Sequence, residues 1–256
     1  MGLGAKTNIC ALLLIIALSQ SFGAPRTEKP ASTLYTGAAD WTLRQDELFE
    51  GDIIPFGDNS DDRAAVTGSA ELWPRGVIPY VIAPRPDREK QVIRQAMARI
   101  EAMSCLRFVN RTTQRDYVLI YHGNTCSSHV GRKGGRQELS LGTGCVNRGT
   151  VMHELLHAAG FYHEHTRSDR DAYIDIFEQN VQQDKRHNFR KLQPSQNRLL
   201  TAFDVHSVML YGSTSFARRQ GLITMLAKDG SHLEEVYDKR RLSTSDARRI
   251  RLLYRC

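Results

Sequence analysis

An α+β fold is predicted for this chain, and three observations predict it. WPRGVIPYVI from Trp73 reads as a turn feeding a strand, and the stretch after Asp87 carries apolar residues at helical spacing. After Gly160 the periodicity fades until a capped helix closes the chain at Cys256. With 256 residues, 41% of them hydrophobic, the chain can bury a full core.

Each element has a local cause. Pro74 and Gly76 set the bend before the first strand. Asp87 is suited to cap a helix in which Ile93, Met97 and Ile100 recur at i, i+4 and i+7, an apolar face expected to pack on a sheet. Strand candidates follow at 106–109, 117–121 and 138–141, separated by Gly-rich turns such as Gly134 and Gly135. Residues 150–159 read as a mostly apolar, buried helix, and Gly160 ends it because glycine enters the left-handed region without steric cost. Ser243 and Asp246 resemble the cap of a last helix running through Ile250 and Leu253.

Ahead of this domain the composition changes. Lys6, an apolar run over 9–19 and the small residues Ser21 and Gly23 read as a secretory signal spanning 1–23. That run is about half the roughly 20 residues a bilayer span requires, so no span is expected. Residues 24–63 are rich in charge, Ser, Thr, Gly and Pro, with one apolar island at Leu48, Phe49, Ile53 and Ile54, and read as a propeptide preceding a domain at 64–256.

Of five cysteines, Cys10 would leave with the signal, and Cys105, Cys126, Cys145 and Cys256 suit two disulfides in an oxidising, extracellular compartment. Their three possible pairings stay open at this point. The net charge of +7 is spread among carboxylates, and the longest basic run is Lys239, Arg240 and Arg241. That describes a solvated surface, without the basic stripe that nucleic acid requires.

The chemistry lies in HELLHAAGFYH. On a helix His153 and His157 leave the same face at i and i+4, and Gly160 lets the chain turn so that His163 returns as a third nitrogen ligand. Three protein ligands leave a zinc ion's fourth position open, which is the catalytic pattern, whereas structural sites fill all four. Glu154, beside His153, is within reach of a water there and would act as general base and then acid. The remaining histidines, His122, His129, His165, His187, His206 and His232, lack ligand spacing and are assigned to surface or packing roles.

The region 64–256 resembles the astacin branch of the metzincin metallopeptidases. HELLHAAGFYHEHTRSDRD follows that family's extended signature, including Glu164 and Arg167, SVMLYG resembles its Met-turn, and AAVTGSAELWPRGVIPY resembles the start of its mature domain. The resemblance implies a two-lobed α+β fold: an N-terminal lobe with a twisted mixed sheet and two helices, an irregular C-terminal lobe ending in a helix, and a cleft between. It implies one zinc ion per domain, the pairings Cys105 to Cys256 and Cys126 to Cys145, and Tyr211 as a movable fifth ligand that donates to the developing oxyanion. Met209 would be an apolar floor beneath the metal.

Two departures stand out. Leu210 occupies a position where the family usually has His, and Ser127 follows Cys126 where an aromatic is frequent. FEGD at 49–52 resembles the family's propeptide switch, in which Asp52 would occupy the metal's open position. Arg63 followed by Ala64 would be cut by a trypsin-like protease, and the new ammonium of Ala64 would be buried near Glu164. An acidic preference just after the cut bond would be met by Lys239 or Arg240.

The function expected is therefore a secreted, monomeric zinc endopeptidase made as a zymogen and acting on proteins or peptides. A catalytically silent binding protein that kept the zinc fold is the alternative, opposed by Glu154 and by a latency device that would have nothing to restrain. Asn110 and Thr112 form an N-glycosylation sequon.

Overall fold

In the computed structural model the chain divides into two compact units, Met1–Asp40 and Trp41–Cys256. The described residues are Met1, 48–55 and 72–256, so the architecture belongs to the second unit. The expected signal and the expected cleavage point at Arg63 and Ala64 lie outside the described residues.

The upper lobe begins at a turn over Pro74–Gly76 and continues as β1 (Val77–Ile82), α1 (Asp87–Met103), β2 (Arg107–Asn110), β3 (Tyr117–Tyr121), β4 (Cys126–Ser128), β5 (Arg136–Leu141) and α2 (Arg148–Ala158). The sheet order is β2-β1-β3-β5-β4. The first four strands in that order run parallel and β4 pairs antiparallel with β5, which makes β4 an edge strand. The N-cap of α1 is Pro86, not Asp87, which is the first helical residue; there its carboxylate suits the helix dipole and pairs with Lys90 at 3.0 Å. The buried face of α1, Ile93, Ala96, Met97 and Ile100, packs against α2 as well as β2.

The helix α2 is buried from Val151 to Ala158, so the polar side chains of that stretch, His153, Glu154 and His157, are enclosed. Asn147 caps it by accepting from Thr150 N at 2.9 Å. Gly149 is required by packing, because a Cβ there would lie 1.9 Å from the Val236 carbonyl oxygen of the lower lobe. After α2 the chain reverses at Gly160, whose φ of +104° lies in the region glycine tolerates.

Past that turn the lower lobe consists of short 3₁₀ turns, a two-stranded ribbon of β6 (Ile174–Ile176) and β7 (Met225–Ala227), and α3 (Thr244–Tyr254). Ser243 and Asp246 close the expected capping box of α3. A small core of Ile174, Val181, Phe189, Leu210, Met225 and Leu233 lies in this lobe, separate from the large core between the sheet, α1 and α2, to which α3 adds Ile250 and Leu253. Disulfides join Cys105 to Cys256 and Cys126 to Cys145, the pairings the resemblance implied.

Regular structure is sparse here, and the loop at 207–210, whose Val208, Met209 and Leu210 are packed in the two cores, is also tied by buried charge. Asp246 accepts from Ser207 Oγ at 2.6 Å and Val208 N at 3.0 Å. Arg249 donates to Asp246 at 2.6 Å and to Glu164. Lys239 Nζ donates to the carbonyls of Ser207 and Leu210 at 2.7 and 2.6 Å.

Candidate active site

The helix α2 delivers His153 and His157 from one face, one turn apart, and the glycine turn brings back His163. Their Nε2 atoms form a triangle with edges of 3.1, 3.1 and 3.2 Å. All three rings are buried, and an oxygen of Asp52 joins the cluster, with the four ligand atoms within 4.8 Å of one another. Asp52 Oδ2 lies 3.0 Å from His153 Nε2 and Oδ1 lies 3.3 Å from His157 Nε2.

The outer ring nitrogens fix the tautomers. His153 Nδ1 meets the Val208 carbonyl and His157 Nδ1 the Phe161 carbonyl, each at 2.7 Å. A carbonyl only accepts, so both Nδ1 atoms donate, and the Nε2 lone pairs face one another and a carboxylate. Such convergence of acceptors is repulsive without a cation between them. The nitrogen spacing fits three ligands of one tetrahedral zinc, whose bonds to nitrogen are about 2.0–2.1 Å. Asp52 Oδ1 and Glu154 Oε2 are buried with no hydrogen-bond partner, a second sign that the site is built for a cation.

Electrostatics agree. Burial alone would lower His163, but the charges of Asp52 and Glu50 overcome it and raise its pKa to about 9. Burial would raise Asp52, yet the surrounding histidines hold it well below the usual carboxylate range. Glu154 is pushed well above its ordinary value, first by burial and then by the charge of Asp52. Tyr211 is raised in the same way and stays a phenol; its hydroxyl donates to Asp52 Oδ2 at 2.7 Å, with the Glu50 carbonyl at 3.0 Å.

The segment at 48–55 enters this site as a tight turn. Phe49 and Ile53 exchange both backbone hydrogen bonds, and Gly51 (φ +99°) packs under Phe216, where a Cβ would lie 2.4 Å from the ring. Beyond the turn the segment adds to the free edge of β4: Ser128 N donates to Asp52 O and Ile54 N to Ser128 O, both at 2.9 Å, in parallel register. His129 Nδ1 lies 3.0 Å from the Ile54 carbonyl. A cavity of about 540 Å³ opens beside it, lined by His153, Glu154 and Tyr211 together with Phe216, Glu235 and Tyr237.

The family model for the astacin peptidases matches residues 65–255. This chain belongs to the astacin family. Among relatives it is 40% identical to astacin-like metalloprotease toxin 1 of Loxosceles intermedia, over 82% of this chain and 81% of that protein. It is 38% identical to tolloid-like protein 1 of Homo sapiens over 77% of this chain, but only 20% of that much longer protein. Among solved structures, high choriolytic enzyme 1, a hatching enzyme zinc-protease of Oryzias latipes, superposes with a TM-score of 0.65 at 36% identity, covering 78% of this chain and 98% of that one. As an astacin-family member the chain is a zinc metalloendopeptidase, and the three histidines form the site that fits the metal.

Several expectations about neighbouring residues change. Lys239 does not face the cleft: it is 3% exposed and its ammonium is engaged by two backbone carbonyls behind the 207–210 loop. Arg240 is exposed beside a separate cavity, and the charged side chain lining the active-site cavity at this end is Glu235. Ser127 is fully buried, its hydroxyl 2.9 Å from that of Thr125, and Leu210 belongs to the lower core. Met209 is buried in the main core, and its carbonyl accepts from Glu164 N at 2.9 Å. The Glu164 carboxylate is held by Arg167, Arg249 and the Asp204 backbone N–H, whereas Ala64 lies outside the described residues.

Glu50, Glu235 and Arg249 went unassigned in the sequence, and His129 was given only a surface or packing role. Glu50 is two residues from Asp52 in the same turn, a proximity that could have drawn attention to it. The other three are brought in from distant positions by folding and carry no local signal.

Proposed function

We propose that the chain is a secreted precursor with a signal at 1–23, a latency segment at 24–63 and a peptidase domain at 64–256, activated by a trypsin-like protease cutting after Arg63. The observation that carries this reading is the Asp52 carboxylate seated against all three histidine Nε2 atoms, where a catalytic water would otherwise stand. The two disulfides support an extracellular home, and no described helix is long and apolar enough to cross a membrane.

Zinc, when bound by His153, His157 and His163, supplies Lewis acidity toward a peptide carbonyl and makes water acidic enough to be a nucleophile near neutral pH. Glu154 holds and moves the proton. In the precursor burial and the charge of Asp52 both raise its pKa; removing Asp52 removes the second cause and favours the basic form that accepts a proton. Tyr211 is occupied by Asp52 and Glu50, and on their departure its O–H becomes free to donate to an oxyanion. The edge of β4, released at the same moment, can pair with a peptide substrate.

Glu235 at the cleft, and Lys239 turned away from it, favour neutral or basic side chains after the cut bond over acidic ones. Catalysis is tested with full-length protein on casein. The uncut precursor should be inert, cleavage after Arg63 should start hydrolysis, and a chelator should stop it. The Asp52→Asn precursor should hydrolyse casein without being cut. Processed protein that binds zinc but cleaves nothing would establish the silent binding protein instead.

A further inference from the structure

The three metal-binding histidines are not supported alike. His153 and His157 donate from Nδ1 to carbonyls of the peptidase domain itself, Val208 and Phe161, and keep those partners whatever happens upstream. His163 Nδ1 instead meets Oε2 of Glu50 at 2.6 Å, and among the described residues Glu50 is its one acceptor. Glu50 is 1% exposed, its Oε1 has no partner, and its backbone takes a φ of +53°, a left-handed conformation that non-glycine residues seldom adopt. A carboxylate buried in this way needs a compensating charge; the His163 imidazole, with a metal behind it, is its ion-pair partner in direct contact, while the guanidinium of Arg170 acts on it from farther off.

From this asymmetry we infer that Glu50 is a positioning residue for the metal: the latency segment blocks the site through Asp52 and at the same time tightens its hold on zinc through Glu50 and His163. The inference rests on the precursor reading given above. A carboxylate accepting from the far nitrogen of a ligating histidine fixes ring and tautomer and makes the ligating nitrogen a better donor. Charge points the same way. Three neutral imidazoles leave a divalent cation uncompensated in a buried site, and Asp52 with Glu50 supplies two negative charges against its two positive ones. Processing removes both carboxylates together, so activation exchanges a neutral, closed site for an open and more weakly held one. Metal would then be loaded best before the segment is cut.

The test measures zinc release from the full-length precursor into a chromophoric chelator, on a Glu154→Gln background that prevents self-cleavage. Glu50→Ala should speed release roughly 10- to 100-fold and Glu50→Gln by less, since the amide keeps a hydrogen bond but not the charge. Cleavage after Arg63 should raise the parent's rate to a level that no longer depends on residue 50. An unchanged rate in Glu50→Ala, with Asp52→Asn still accelerating release, would overturn the role of Glu50 and leave the precursor reading intact. If Asp52→Asn also released zinc at the parent rate, the seat of Asp52 on the metal would be wrong. Because Glu50→Ala could misfold, a second measurement uses unaltered side chains at positions 50 and 163. In nitrogen-labelled, zinc-loaded precursor the His163 Nδ1–H proton should resonate far downfield, as carboxylate-bound imidazole protons do, and shift upfield on processing. Identical spectra before and after processing would refute the contact.

Discussion

The two lobes position functional groups by different means. In the upper lobe a parallel sheet and two packed helices hold α2, and the fixed 3.6-residue repeat of that helix places His153, Glu154 and His157. The lower lobe has only a two-stranded ribbon, short turns and α3, yet it must hold Tyr211 and the 207–210 loop within hydrogen-bond distance of the same site. It does so with Asp246, Arg249, Glu164 and Lys239, charged groups buried against backbone polar atoms. A lobe with few repeating hydrogen bonds can still be precise when its polar groups are enclosed and paired, at the cost of being sensitive to the loss of any one of them.

The sharpest separation of the lobes' roles comes from Glu154→Gln, which alters a proton carrier on the upper-lobe helix and leaves packing unchanged. Turnover of the processed enzyme should fall roughly 100- to 10,000-fold, while metal analysis still finds one zinc and the unfolding curve is preserved. Retained turnover would refute the assignment.

In the lower lobe the expected effect is on stability. Arg249→Met leaves the Asp246 and Glu164 carboxylates buried with a partner missing, and should cost about 3–5 kcal/mol in denaturant unfolding. A loss below about 1 kcal/mol would mean that packing, and not the charge network, holds the 207–210 loop.

A smaller, pH-dependent effect belongs to Lys239, whose pKa burial lowers from 10.5 to about 8. Between those values the folded chain has released the proton and the unfolded chain still binds it, so stability rises with pH across that window and the deficit is complete below it. The span corresponds to about 3 kcal/mol at most. It should appear as the pH-dependent difference between the parent and Lys239→Met, and parallel stability curves from about pH 7 to the unfolded value of 10.5 would count against it.

What the sequence determined by itself is what repeats or punctuates locally. The spacing of His153 and His157, the turn at Gly160, the capping pair Ser243 and Asp246 and the strand at 117–121 all depend on residues within a few positions of one another, where helix and strand periodicity speak directly. The resemblance carried Asp52, Tyr211 and the disulfide pairs further than periodicity could. Only the tertiary structure decided which charges face the cleft. Lys239 is turned behind the loop and Glu235 toward the cavity although they stand four residues apart. It also decided that Glu50 would meet a histidine 113 positions away. No local pattern encodes such contacts, because the energy of a buried charge is set by the partners that enclose it, and those arrive from all along the chain.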